Sequence, residues 1–108
     1  MITDDIFEEL RKVHTSLTEN EFTTRYLKAS RSYLCNRRNQ KRDVSNNVLL
    51  NLYAELKGQG SVWHKAVAGE QDERRRMRWQ QMAELHTELA QRVANRVLER
   101  AGSRTPDA

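Results

Sequence analysis

The sequence predicts an all-α protein, with a compact four-helix N-terminal bundle followed by one long C-terminal helix. Hydrophobic residues make up 37% of the 108 residues and charged residues 31%, a balance that suits a few amphipathic helices. Only four glycines and one proline are present, which argues against a turn-rich β architecture. Apolar residues recur at spacings of three and four, the period of an α-helix.

The first two helices have recognisable starts. Thr3 is predicted to cap the first helix, with two aspartates following it in the first turn. The sequence Thr18-Glu19-Asn20-Glu21 has the form of a capping box and predicts the start of a short second helix. The apolar residues predicted to face the core are Ile6, Leu10, Val13 and Leu17 in the first helix and Phe22, Tyr26 and Leu27 in the second.

Two further helices are predicted before residue 58. Lys28 and Ala29 would form a turn, and Ser30 would cap a third helix that ends near residue 40 and is anchored by Tyr33 and Leu34. Ser45 is the predicted cap of a fourth helix. Its apolar face comprises Val48, Leu49, Leu52, Tyr53 and Leu56, and Gly58 would end it.

The remaining chain is predicted to hold a linker and a long helix. Residues 59–69 would form the linker with a short helical stretch, residues 70–101 the long helix, and residues 102–108 a disordered tail. We therefore divide the chain into a domain at 1–58 and these three following segments. An apolar stripe marks one face of the long helix: Trp79, Met82, Leu85, Leu89, Val93 and Val97.

The positive charge is concentrated in one segment. Residues 1–24 carry six acidic and two basic residues, whereas residues 25–42 carry seven basic residues and no acidic one. The net charge of the whole chain is +4. Such a segment is expected on a surface that faces a polyanion, although a solvated charged face would have the same composition.

The basic segment coincides with the second and third predicted helices, which together suggest a helix-turn-helix. In such a unit the second helix enters the major groove, where Arg can pair with guanine and Asn with adenine. Phosphate contacts position the protein without reading sequence. The predicted base-contacting residues are Arg31, Ser32, Cys35, Asn36 and Asn39. The predicted phosphate-contacting residues are Arg25, Lys28, Arg38, Lys41 and Arg42.

The segment from Thr18 to Leu56 resembles the helix-turn-helix of lambda-repressor-like (Xre-type) proteins. Within that class it is similar to short bacterial proteins with the pattern F-x-x-x-[WY]-L-x-x-S-x-S-Y-[LY], matched here from Phe22 to Leu34. The resemblance implies that Arg31, Ser32, Cys35 and Asn36 face the groove and that Glu19 and Asn20 lie near the DNA. Three features depart from the usual Xre-type form: Lys28 stands where a turn glycine is common, Arg37 stands where an apolar residue often anchors the recognition helix, and the Phe22–Ser30 spacing is one residue longer.

Several classes of function are not indicated by the sequence. The one cysteine, Cys35, cannot form an internal disulfide, which suits a reducing cytoplasm. His14, His64 and His86 are scattered without other ligands at metal-binding spacing, so we predict surface or boundary positions and no metal. No catalytic constellation, cofactor motif or membrane span is apparent, and we predict a non-enzymatic, cytoplasmic protein.

The apolar stripe of the long helix has two possible partners. It can pair with a second copy of the chain, so that two recognition helices meet two half-sites of DNA, or it can pack onto the N-terminal bundle. The sequence favours the homodimer and leaves intramolecular packing as the alternative.

The leading functional interpretation is a transcriptional regulator, such as a repressor, that binds double-stranded DNA through residues 31–40. The runner-up is an adaptor or antiactivator that uses the same helical fold to bind another regulatory protein. A third interpretation is a structural binder of DNA without sequence preference.

Overall fold

A computed structural model describes residues 1–104, and its described part is all-helical, as predicted. No strand occurs within these residues. A π-helical turn at Phe22–Tyr26 continues the second helix. The five α-helices are α1 Ile2–Val13, α2 Glu19–Glu21, α3 Tyr33–Asn39, α4 Asn46–Gly69 and α5 Glu73–Arg104.

Helix α1 packs most of its predicted apolar face against the bundle, but Val13 at its last turn is 41% exposed, so the prediction that Val13 faces the core is wrong. Ile6 and Leu10 are fully buried, and Leu17 is buried in the segment that follows. The predicted cap at Thr3 is wrong, because α1 begins at Ile2 and Thr3 is a buried residue inside its first turn. Ile2 packs against the core, and this contact extends the helix to the start of the chain.

The predicted cap at Thr18 is confirmed. Its hydroxyl accepts a hydrogen bond from the backbone N–H of Glu21 at 3.1 Å. The chain then enters the π turn, in which the N–H of Leu27 donates to the carbonyl of Phe22 at 3.2 Å. A π turn holds one more residue than an α turn. It leaves the predicted residues Phe22, Tyr26 and Leu27 buried in the core.

The segment between the π turn and α3 reverses the chain. Lys28 adopts the left-handed conformation, with φ of 51°. The predicted cap at Ser30 is wrong: Ser32 precedes α3, and the carbonyl of Ser30 accepts from Tyr33 N–H in a turn. Arg31 and Ser32 therefore lie in this turn, outside the helix predicted to contain them.

The left-handed Lys28 gives a first test of the turn. A side chain costs about 1–2 kcal/mol in this conformation and glycine has no such penalty, so we expect Lys28→Gly to raise the free energy of unfolding by roughly 0.5–1 kcal/mol. Urea denaturation measures the change. Lys57→Gly is the matched control, because Lys57 is exposed inside α4, where glycine is expected to destabilise by about 1 kcal/mol. Equal destabilisation by both variants would contradict the turn geometry.

Helix α4 begins as predicted but is longer. The hydroxyl of Ser45 accepts from Val48 N–H at 3.3 Å, which confirms this cap. The predicted end at Gly58 and the linker at 59–69 are wrong, because the helix continues to Gly69. No glycine in the described residues has positive φ, the conformation by which glycine ends a helix.

Packing against α5 explains the continuation of α4. The two helices form a long antiparallel hairpin, and Gly60 is buried at their contact. A Cβ atom at Gly60 would lie 3.3 Å from the Thr87 hydroxyl oxygen, so glycine allows the close approach of the two backbones. Tertiary contact thus outweighs the weak helix propensity of the glycines.

The apolar stripe of α5 faces the chain itself. Leu89 and Val93 are fully buried, while Leu85 and Val97 are partly buried against the same core. Leu89 and Val93 cannot form the predicted dimer interface, and the intramolecular alternative is correct for them. Of the predicted tail, residues 102–104 continue α5, and residues 105–108 lie outside the described part.

Candidate nucleic-acid interface

Helix α3 is fixed to the bundle from one side. Leu34 is 2% exposed, and the Tyr33 hydroxyl accepts a hydrogen bond from the backbone N–H of Ser45 at 3.0 Å. The Arg37 guanidinium lies 5.2 Å from the centroid of the Tyr33 ring. Arg37, which replaces an apolar residue of the pattern, is therefore half-buried over an aromatic ring rather than in the core. The other side of α3 is left open.

All five residues predicted to contact bases are exposed. Cys35 and Asn39 are one helical turn apart, and the Asn39 amide lies 3.8 Å from the Cys35 sulfur. Asn36 is exposed on the same short helix, and Arg31 and Ser32 are exposed in the turn before it. The structure thus brings hydrogen-bonding side chains together at the outer surface of α3 and its preceding turn.

Arg38 makes the closest contacts of the predicted phosphate-binding residues. Its guanidinium donates to the Glu19 carboxylate at 2.7 Å and also to the carboxylate of Asp4. Hydrogen bonds to Asp4 and Glu19 raise the pKa of Arg38. This ion-pair network ties α3 to α1 and α2, so a phosphate would bind Arg38 only by replacing these carboxylates.

Arg25 and Lys28 share a second acidic partner. The Glu55 carboxylate lies 3.6 Å from Arg25 Nε and 3.9 Å from Lys28 Nζ. Both bases are more than half exposed, and exposed pairs of this kind contribute about 0–1 kcal/mol. These contacts are weak enough for a phosphate group to replace them.

Lys41 and Arg42 differ from the other three bases. Both are exposed, and neither side chain forms an ion pair within residues 1–104. Lys41 adopts the left-handed conformation just after α3, with φ of 53°. They border an open depression of about 450 Å³ that Arg37, Arg38, Asp4, Asp43 and Met1 also line. The C-terminal end of α3 is therefore the most available cationic surface of the basic segment.

A clamp beyond α3 was not predicted from the sequence. Arg100 donates to Asp43 Oδ2 at 2.7 Å and to the Val44 carbonyl at 2.8 Å, and Arg96 donates to the same carboxylate oxygen at 3.1 Å. Burial alone would raise the pKa of Asp43, but hydrogen bonds from Arg96, Val44 N–H and Arg100 outweigh it and lower that pKa. The clamp fixes the segment after Lys41 and Arg42 to the C-terminal part of α5.

The prediction that all three histidines lie at the surface or boundary is wrong for His86. It is fully buried, and its Nδ1 donates to the Met82 carbonyl at 2.7 Å. His14 Nε2 lies 3.2 Å from His86 Nε2, within hydrogen-bond distance. This pair joins the end of α1 to α5.

The histidine pair predicts a pH-dependent stability. Burial, His86 and Arg25 lower the pKa of His14 below its ordinary value of 6.5. The unfolded chain then binds more protons than the folded chain as pH falls through 6.5, so stability is complete above this pH and decreases below it. We expect a lower free energy of unfolding at about pH 5.5 than at about pH 7.5 by urea denaturation.

Two variants isolate the contribution of His14. His14→Gln keeps a side chain that can hydrogen-bond to His86 but cannot titrate, so the loss of stability on acidification should shrink. His64→Gln changes an exposed histidine, so this variant should lose as much stability on acidification as the wild-type chain does. An unchanged loss in His14→Gln would contradict the assignment.

Within residues 1–104 no group of three or more His, Cys, Asp or Glu side chains could hold a metal ion. Among the described helices, none has both the length and the apolar character needed to cross a membrane.

Comparison with known proteins gives a family but no characterised relative. Neither the curated proteins nor the solved structures include a significant match. Residues 3–101 match the model described as a family of unknown function, DUF6626. Because this match covers most of the sequence, the chain belongs to the DUF6626 family.

Proposed function

We propose that the protein is a transcriptional regulator that binds double-stranded DNA through α3 and the turn before it. The observation that carries this proposal is the exposed surface formed by Arg31, Asn36 and Asn39, next to the unpaired bases Lys41 and Arg42. Arg and Asn are the side chains that pair with guanine and adenine in the major groove. Lys and Arg at the edge of such a surface suit phosphate contact.

A helix-turn-helix interpretation of residues 18–39 supports the proposal. Two short helical segments flank a tight reversal, and each is anchored by a buried leucine, Leu27 or Leu34. Lys28 adopts the left-handed conformation that a turn glycine would supply. The π turn at Phe22–Tyr26 accommodates one extra residue, which equals the excess spacing relative to Xre-type proteins.

The ion pairs divide the basic residues into two groups. Arg25, Lys28 and Arg38 must exchange a carboxylate for a phosphate before they contribute to binding. Lys41 and Arg42 require no such exchange. We therefore assign the main phosphate contacts to Lys41 and Arg42, with α3 lying in the major groove beside them.

The salt dependence of binding tests this assignment. Each neutralised phosphate contributes about −0.9 to the slope of log K against log salt concentration, so Lys41→Ala combined with Arg42→Ala should reduce the slope by roughly 1.8. The measurement is fluorescence anisotropy with a labelled duplex between about 50 and 200 mM salt. Lys57→Ala with Lys65→Ala, at exposed positions of α4, is the charge-matched control and should leave the slope unchanged.

A protein-interaction adaptor is the second candidate function. The observation in its favour is that Arg25, Lys28 and Arg38 are all ion-paired within the chain, which lowers the free positive charge near α3. Absence of duplex binding by the original chain even at about 50 mM salt would reject DNA binding and favour the adaptor. Binding with equal affinity to all duplexes would favour a structural binder without sequence preference.

A further inference from the structure

The hairpin of α4 and α5 extends beyond the core as a two-helix arm. We define the arm as residues 61–82, within which no residue is buried. Gly60 and Ala83, which bound it, are both buried. Trp63 and Trp79 pack on each other with ring centroids 6.2 Å apart and remain partly exposed. The arm therefore presents apolar side chains that the rest of the described chain does not cover.

One side of the arm carries a shallow apolar depression. It has a volume of about 400 Å³ and is lined by Val67 of α4 and by Arg76, Met77, Gln80 and Gln81 of α5. Met77 is 64% exposed at its rim. Burial of this side chain against a partner would therefore be favourable.

The same side of α5 has charges arranged in a self-complementary order. Arg76, Gln80 and Glu84 follow one another at intervals of four residues and so share one helix face. Arg76 and Glu84 are exposed, and neither forms an ion pair within residues 1–104. Gln80 between them donates to the Glu84 carboxylate at 3.0 Å. The order along this face is therefore positive at Arg76, neutral at Gln80 and negative at Glu84, and the exposed Glu73 adds a further negative charge two turns before Gln80.

We propose that a second copy of the chain docks antiparallel on this side of the arm. Glu84 is eight positions after Arg76 in the helix, which corresponds to a rise of about 12 Å. A reversed copy centred on Gln80 places its Glu84 opposite Arg76 and its Arg76 opposite Glu84. The two-fold symmetry makes both ion pairs at once, as an isologous interface requires.

Charge order selects this occupant over other partners. An acidic partner would be attracted by Arg76 but repelled by Glu84. A basic partner would be attracted by Glu84 but repelled by Arg76. An uncharged helix would leave both side chains without an ion-pair partner. A reversed copy satisfies both charges and can place Met77 side chains from the two copies near the depressions, where apolar burial adds to the attraction.

This interface differs from the dimer predicted from the sequence. The predicted stripe centred on Leu89 and Val93 faces the core, whereas the docking surface uses Arg76 and Met77 of the arm and Glu84 just beyond it, on the other side of α5. The ten arm residues of α5 span about 15 Å, which makes a small interface. We therefore expect reversible dimerisation with a dissociation constant on the order of tens of micromolar.

A charge exchange tests the antiparallel pairing. Arg76→Glu and Glu84→Arg each place like charges opposite one another in their own dimers, so each should weaken self-association at least about tenfold. In an equal mixture, one copy of each variant restores both ion pairs. Sedimentation velocity from about 5 to 500 µM should show monomers for each variant alone and dimers for the original chain and the mixture. Circular dichroism checks that both variants remain helical.

Met77→Glu and Leu98→Glu provide the matched controls. Both residues lie on α5 with similar exposure, 64% and 66%, but only Met77 belongs to the arm. Met77→Glu should abolish the dimer and Leu98→Glu should leave it intact. Three results would overturn the proposal. The wild-type chain could remain monomeric over the whole concentration range, the mixture could fail to dimerise, or Leu98→Glu alone could lose the dimer. The outcome is independent of DNA binding, since no DNA is present.

Discussion

Replacement of Leu89 by alanine is expected to destabilise the isolated chain by about 2–5 kcal/mol, the cost of a cavity left by a buried leucine. Leu89 has no exposed surface and packs in the core shared by α5 and the N-terminal bundle. Urea denaturation measures the change. Leu98→Ala removes the same side-chain atoms at a 66% exposed position of the same helix and should change the stability by no more than about 0.5 kcal/mol.

The result distinguishes the two roles considered for the stripe. If Leu89 contributed to a dimer interface alone, its replacement would weaken association and leave the unfolding of the monomer unchanged. Performing the denaturation at low protein concentration, where the monomer dominates, separates these cases. If the Leu89→Ala monomer had the same free energy of unfolding as the wild-type chain, intramolecular packing of α5 would be contradicted.

Replacement of Asn36 by alanine is expected to lower the discrimination between a preferred duplex and an unrelated one by about 5- to 150-fold, which corresponds to about 1–3 kcal/mol for a paired contact to a base. Affinity for the unrelated duplex should stay within about twofold, because phosphate contacts supply that binding. Competition titrations with both duplexes measure the ratio. Asn95→Ala, at an exposed position of α5, is the control and should not change it.

Equal loss of affinity for both duplexes in Asn36→Ala would contradict base contact by this residue. Such a result would place Asn36 near the phosphate backbone instead. No loss for either duplex would remove Asn36 from the interface and, with it, the orientation of α3 proposed here.

The sequence predicted the helix starts correctly where they depend on contacts between residues close in sequence. The caps at Thr18 and Ser45 depend on contacts over three residues, and both are present. The end of α4 could not be predicted from Gly58, because the helix is continued by α5 packing across Gly60. Helix α3 starts later than predicted, because Ser30 can begin a turn as well as cap a helix.

In the candidate site, too, local features could be predicted from the sequence and long-range contacts could not. Exposure of Asn36 and Asn39 followed from their polarity and the apolar anchors beside them. The ion pairs of Arg38 could not be predicted from the sequence, because its partners Asp4 and Glu19 are 34 and 19 residues away. The His14–His86 contact spans 72 residues and joins two elements that no local pattern brings together. Contacts of this range depend on the tertiary arrangement of the helices.

The most direct test of the central proposal is selection of bound fragments from a pool of random duplexes, followed by titration of the selected fragment and a scrambled version at about 50 and 200 mM salt. We predict that the pool converges on a shared sequence, which binds more tightly than its scrambled version at both salt concentrations. A pool without enrichment, combined with no measurable duplex binding at the lower salt concentration, would contradict DNA binding by this protein.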